Sequence, residues 1–236
     1  MDGLNEVTQE KRRRRLARLK SGHDGSGGWQ ARKSEIARID ILDAAIECFI
    51  RLGYARTTTS EIARVAGLSR GAMVHHFQSK RELVKAAIEH LNTKRLEDFR
   101  RRISSIPTDV NHTEAGIEAY WQHLISPDFV AFRELLGAAR TDPELEEMLR
   151  PAVTAMEREW YDVARSVFPE WNKAGVDFDI AMDLTQFLME GMAIHIWLGG
   201  DHPRYRRTRD YLKARLKEML GLSAASPMLA RVELAG

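Results

Sequence analysis

A single cysteine, Cys48, stands in a chain of 236 residues. No disulfide can form within the chain, which fits a reducing compartment. Long hydrophobic runs are missing too. The most apolar stretch, 180–198, is broken by Asp183, Gln186, Glu190 and His195. A membrane span of about 20 residues avoids that many polar groups. The early basic residues are followed by no apolar segment, so a secretory signal is not expected. These absences point to a cytoplasmic protein without a membrane partner.

Strand signals are equally scarce. There is no sustained alternation of apolar and polar residues, and no hairpin dipeptide between such runs. No repeat of about 20–50 residues occurs. Catalytic signatures are absent: no phosphate-cradling glycine loop, no HExxH, no nucleophile elbow and no paired-cysteine metal site. No catalytic residue, metal ligand or cofactor is assigned. An all-α enzyme would need its catalytic groups scattered along the chain.

What is present is helical periodicity and unevenly placed charge. The formal net charge is only +2, so the distribution matters more than the sum. Residues 11–20 read KRRRRLARLK, with seven basic positions in ten. SGHDGSGG at 21–28 reads as a flexible joint with nothing to bury. Residues 1–33 are therefore read as a basic tail, either a solvated extension or an arm that touches phosphate. Residues 222–236 form a second tail.

Order is expected from Ser34. Ile39, Leu42, Ile46, Phe49 and Ile50 recur at helical spacing, with Arg38, Asp40, Asp43, Glu47 and Arg51 on other faces. Cys48 sits in this helix as a small core or boundary residue. Gly53 closes it, since glycine adopts the left-handed conformation readily. Thr58 and Glu61 have the spacing of a capping box, which opens a second helix. Ile62, Val65 and Ala66 give that helix an apolar face. Gly67 ends it, Leu68 plugs the turn, and Ser69 caps a third helix running to about Phe77. Ser79 and Glu82 repeat the capping spacing and open a fourth, extending to about Ile103. Further helices are predicted at 113–125, 128–140, 143–168, 178–198 and 203–220, with Pro143 and Pro203 tolerated in first turns.

Two short helices joined by a glycine turn make a helix-turn-helix, at about 58–77. In that arrangement the second helix lies in the major groove of DNA. Ala63 allows a close helix crossing, and Phe77 locks the third helix against the first. The run GYARTTTSEIARVAGLSRGAMVHHFQSKREL resembles the DNA-binding domain of the TetR/AcrR family of transcriptional regulators. The resemblance covers about a quarter of the chain, from Ile39 to Leu83. FRELLGAARTDPELEEML, at 132–149, is similar to a segment common in the C-terminal halves of that family.

The resemblance implies an all-α protein. Its DNA-binding domain would be 34–92 and its helical regulatory and dimerisation domain 93–221. It also implies residue roles. Thr58, Thr59 and Ser60 would touch the DNA backbone. Arg70, Gly71, Ala72 and Val74 would face the groove from the recognition helix. Arg70 can read guanine bidentately or hold phosphate. His75, His76 and Lys80 would contact phosphate. The family usually has tyrosine where this chain has Val74, so the family's contact pattern does not transfer whole. His75 and His76 do not converge on one metal, because adjacent helical positions diverge by about 100°.

In the regulatory half, the helix at 180–198 is apolar nearly all round and needs covering on most faces. Leu184, Leu188, Gly191 and Met192, with Leu212, Leu216 and Met219 from the last helix, are the candidate dimer interface. A central core helix in a monomer is the alternative. Two reading heads would match a palindromic operator in double-stranded DNA. The family resemblance also implies a small-molecule effector among the middle helices. Tyr120, Trp121, His123, Phe132, Met156, Trp160, Met189 and His195 are the candidate lining, and each is also explicable as plain core. The aromatic and methionine content suits an apolar or aromatic effector. The function expected is a sequence-specific regulator, a repressor released by its effector. A helical DNA-binding protein of low sequence specificity is the alternative, with an all-α enzyme the remote one.

Overall fold

The structure, a computed structural model, describes residues 26–107, 109–167, 176–200 and 202–219. Every regular element among them is an α-helix. In chain order these are α1 (Ser26–Leu52), α2 (Thr59–Ala66), α3 (Arg70–His76), α4 (Lys80–Ser104) and α5 (His112–Leu124). They continue with α6 (Pro127–Ala139), α7 (Pro143–Val167), α8 (Val176–Gly199) and α9 (Pro203–Met219). No helix among the described residues is long and apolar enough to cross a membrane.

The helix limits follow local chemistry. Gly53 ends α1 at φ 78° and Gly67 ends α2 at φ 66°. The Gly67 and Leu68 amides donate back to the Arg64 and Ala63 carbonyls, satisfying groups that a helix end leaves open. The Thr58 hydroxyl accepts from the Glu61 amide at 3.2 Å, and the Ser69 hydroxyl accepts from the Ala72 amide at 3.1 Å. At the head of α4 the capping is reciprocal. The Glu82 amide donates to Ser79 Oγ, and the Gln78 amide donates to the Glu82 carboxylate. Ser126 caps α6, with Pro127 in its first turn.

One expected limit moves. α1 begins at Ser26, eight residues before the expected Ser34. Gln30, Ala31, Arg32 and Lys33 are good helix formers, and they carry the helix past the point where its core contacts stop. The basic run 11–20, the first part of the joint and the tail 222–236 lie outside the described residues.

Two compact units emerge from the contacts, and each has its own core. The first takes in the described residues up to Asp98 together with 125–159. Here α1 packs against both α2 and α6. That double cover explains why Ile41, Ala44, Ala45 and Cys48 are buried along with Leu42, Ile46 and Phe49. Asp40, expected on a solvent face, is buried for the same reason. Asp43 binds His90 of α4 at 3.0 Å, and Lys94 bridges Asp43 and Asp128 of α6. Arg95 lies 3.5 Å above the Phe132 ring.

The second unit holds the described residues of 99–124 and 160–236. In it α5, α8 and α9 pack on one another. Arg209 of α9 stacks on Trp121 and pairs with Glu118. Lys213 pairs with Glu118 as well, and Lys217 with Glu114. A boundary at 92/93 coincides with the limits of neither unit, because α6 and the first part of α7 pack with α1.

Candidate nucleic-acid interface

Burial sorts the short helices into an inner and an outer face. On α2, Ile62, Ala63, Val65 and Ala66 are buried, while Thr58 and Ser60 are exposed and Thr59 is half-buried. On α3 only Met73 is buried. Arg70, Gly71, Val74 and His75 are exposed, and Ala72 and His76 are half-buried. Val74 is 51 % exposed. A valine open to water at mid-helix does no work in this core, so its use lies outside the chain.

The geometry at the ends of α3 fits an anionic partner. Capping by Ser69 leaves the α3 amides and the Arg70 side chain on one outward end. A Cβ built on Gly71 would meet nothing within 4 Å, so this glycine is not there for want of space within the chain. At the other end Phe77 is buried, and the Arg38 guanidinium lies 4.4 Å over its ring. Arg38 also donates to the His76 carbonyl at 3.4 Å. These contacts fasten the C-terminal end of α3 to α1. The His76 imidazole is held below its ordinary pKa, first by burial and then by His75 and Arg38.

Lys80 opens α4 in an exposed position. Its ammonium lies 5.4 Å over the Tyr54 ring, which directs an otherwise loose side chain. The backbone N–H of Tyr54 donates to Glu134 of α6 at 2.8 Å. Arg81, the next residue, pairs with Glu144 and Glu147 of α7. The predicted DNA contacts on α2, α3 and the head of α4 therefore lie on neighbouring short elements anchored by α1, α6 and α7.

These features match a known family. Residues 41–87 fit the model described as bacterial regulatory proteins, tetR family. The HTH-type transcriptional regulator TtgW of Pseudomonas putida is 30% identical over 115 residues, spanning 45% of this chain and 76% of that one. The chain belongs to the tetR family. CymR, another HTH-type transcriptional regulator from Pseudomonas putida, is 26% identical over 188 residues, covering 77% of this chain and 89% of its own. A solved structure described as a TetR-family transcriptional regulator from Rhodococcus sp. superposes with a TM-score of 0.60. That match is 18% identical and covers 78% of this chain and 98% of the other; it speaks to the fold alone. This tetR-family protein is a DNA-binding transcriptional regulator, and no enzyme.

The predicted regulatory residues fare unevenly. In the second unit Phe99, Ile103, Gly116, Tyr120, Trp160 and Met182 are among the residues that bound a small cavity of about 20 Å³. Tyr120 and Trp160 were anticipated from sequence; the other four were not, because nothing in a sequence pairs the tail of α4 with α5, α7 and α8. Tyr120 and Trp160 rings lie 4.1 Å apart. The Trp160 residue is 7% exposed, and its Nε1–H is buried without a hydrogen-bond acceptor. His123 is fully buried and stacks on Tyr120. Trp121 lies under Arg209 and Met189 is fully buried; neither lines the cavity.

Three lining assignments fail. Phe132 belongs to the first unit, beneath Arg95. Met156 is half-buried in that same unit. His195 is exposed, because it falls on the outward stripe of α8.

That stripe is the third feature. Ile180, Leu184, Phe187, Leu188 and Ile194 are exposed, Phe187 to 67%. Their spacing of three and four places them on one side of α8, with Gly191 between them. Met182, Met189 and Ala193 occupy the opposite, buried side. Of the predicted interface residues, Leu184 and Leu188 are exposed, and Gly191 and Met219 are half-buried. Met192, Leu212 and Leu216 are already buried within one chain, so they are core and not free surface.

Proposed function

We propose that this regulator is a homodimeric repressor that binds a palindromic operator and leaves it when a small-molecule effector binds. The observation that carries the dimer is the exposed apolar stripe of α8. Soluble monomers rarely expose so many large apolar side chains in one contiguous line. In a twofold dimer the stripe meets its own copy. Each buried side chain of this size contributes roughly 1.5–3 kcal/mol. Two reading heads then address half-sites about 34–36 Å apart, which makes the operator an inverted repeat.

In this reading residues 34–92 form the DNA-binding domain and 93–221 the regulatory domain. Arg70, Gly71, Ala72 and Val74 face the groove. Thr58, Thr59, Ser60, His75, His76 and Lys80 hold the backbone. The cavity beside Trp160 is the effector site. At about 20 Å³ it has room for about one water molecule. An effector must therefore select a more open arrangement of these side chains, and that requirement makes binding conformationally selective. α4 carries both Lys80 at its head and Phe99 and Ile103 at the cavity, so one helix serves both sites. The effector shifts DNA affinity only by its differential affinity for the two arrangements. The buried Trp160 N–H would favour an apolar or aromatic effector that carries a hydrogen-bond acceptor.

Genome-wide mapping of bound sites tests the reading. The expected result is a shared inverted repeat upstream of few genes, whose transcription rises when the regulator is deleted. Binding spread evenly along the genome would instead mark a low-specificity DNA-binding protein.

A further inference from the structure

α1 is longer than its core requires. Burial on this helix begins at Asp40, yet the helix starts at Ser26. Gln30 to Glu35 are all exposed. Two exposed helical turns gain nothing from tertiary packing, and helical propensity alone stabilises them weakly. They are not loosely aimed, however. Arg38, at their root, is fixed by the Phe77 ring and the His76 carbonyl. The extension is thus held at a set angle to the recognition helix.

Between this extension and α3 runs an open groove of about 400 Å³. Gln30, Lys33 and Ser34 line one wall, on a single helical face; Leu68, His75 and His76 line the other. His75 also belongs to the exposed face of α3, so the groove adjoins the surface proposed to meet DNA. Ahead of it in sequence lies the run KRRRRLARLK at 11–20. Glu35 is the nearest opposing charge on the extension, against Arg32 and Lys33. Six residue steps separate Lys20 from Ser26, a reach of at most about 20 Å. That is less than one turn of B-DNA, about 34 Å. The seven basic residues are therefore tethered within one turn of the groove.

We propose that the α1 extension, with Gln30, Lys33 and Ser34, and the basic run 11–20 form a second DNA contact that grips the sugar–phosphate backbone flanking each half-site. The polar wall and the tethered positive charge match a phosphate strand leaving the major groove beside α3. Backbone contacts of this kind add affinity and register without reading bases. They enlarge the site beyond the bases that α3 can touch.

The test uses the full chain and a duplex carrying the sequence it selects from a random library, made with or without 12 flanking base pairs on each side. Three proteins are compared: wild type, R32Q/K33Q, and a variant in which the seven basic residues of 11–20 become glutamine. Wild type should bind the flanked duplex roughly tenfold more tightly than the blunt one near physiological salt. Its plot of log affinity against log salt should be steeper by about 0.9 for each extra phosphate neutralised. The glutamine variant should lose the flank gain and at least about two units of slope, and R32Q/K33Q part of each. All three should keep the same preference for the selected core over a scrambled one. Equal wild-type affinity for flanked and blunt duplexes overturns the proposal. So does a glutamine variant that keeps the flank gain, or one that loses preference for the core. A selection that enriches no sequence would sink the operator reading instead, and the salt slopes on random duplexes of two lengths would still judge the arm.

Discussion

Glu134 of α6 accepts a hydrogen bond from the Tyr54 amide at 2.8 Å, one residue beyond the glycine that ends α1. The same carboxylate oxygen lies 2.8 Å from where a Cβ on Gly53 would stand. Gly53 itself sits at φ 78°. One acidic side chain thus pins the turn that leads into the helix-turn-helix. Glu134→Ala should cost about 1–2 kcal/mol by leaving a turn amide without its charged acceptor. Gly53→Ala should cost about 1–3 kcal/mol through left-handed strain and collision. The two changes share one contact, so their sum should exceed the double variant's loss. Denaturant melts of the four proteins check this. Strict additivity would mean that Glu134 does not brace the glycine.

Arg70 and Val74 occupy successive turns of the exposed face of α3. Arg70→Ala should weaken operator binding by roughly 1–3 kcal/mol, and random DNA by much less. Equal loss on both would reduce Arg70 to a phosphate contact. Val74→Tyr restores the residue the family usually carries there. It should raise affinity for both operator and random DNA, because a phenol adds a phosphate contact and removes an apolar one. A competition assay with the two duplexes separates these outcomes.

The helical frame was legible because its signals are local. Thr58, Ser69, Ser79, Gly53 and Gly67 each act within four residues, so the sequence shows them directly. The buried core of α2 was legible through periodicity for the same reason. What the sequence could not show is which second helix covers a given face. Asp40 is buried because α6 also packs on α1, a contact some 90 residues away. His195 and Met192 are three residues apart on a nearly uniformly apolar helix. Only the fold decides that His195 faces outward and Met192 inward. The cavity suffered most, since it joins four helices and most of its lining is unremarkable aliphatic and small residues.

Phe187 is the most exposed of the apolar residues on the α8 stripe, at 67%. Phe187→Asp should convert the dimer to monomer at micromolar concentration. A charge in the middle of an apolar seam costs far more than it does in water. Leu212→Ala should act differently, lowering the melting temperature of the chain by cavity formation, about 2–5 kcal/mol, because Leu212 is core. Sedimentation and thermal melts on both variants separate interface from core. A wild-type protein that is strictly monomeric would end the dimer reading.

Trp160 offers a contrast between stability and binding. Trp160→Ala should cost about 3–5 kcal/mol by emptying a packed aromatic cluster. Trp160→Phe keeps most of the ring and removes a buried donor without a partner, whose desolvation costs about 1–3 kcal/mol. Those terms nearly offset, so its stability should stay within about 1 kcal/mol of wild type. A loss as large as that of the alanine variant would show that the indole N–H is satisfied in solution.

His76 should make stability and DNA affinity respond oppositely to pH. Burial, with help from His75 and Arg38, lowers its folded pKa beneath the ordinary 6.5. As pH falls below about 6.5 the unfolded chain takes up the proton first, so stability drops until the folded pKa is passed. A DNA phosphate beside the imidazole favours the charged form instead. Complex formation then takes up a proton, and affinity rises as pH falls. His76→Gln keeps a donor at the site but cannot titrate. It should flatten part of both slopes between pH 8 and 5.5, read from denaturant melts and from fluorescence anisotropy on the operator. If the variant flattens the stability slope alone, His76 is a packing residue at the end of α3, and the phosphate contact passes to exposed His75.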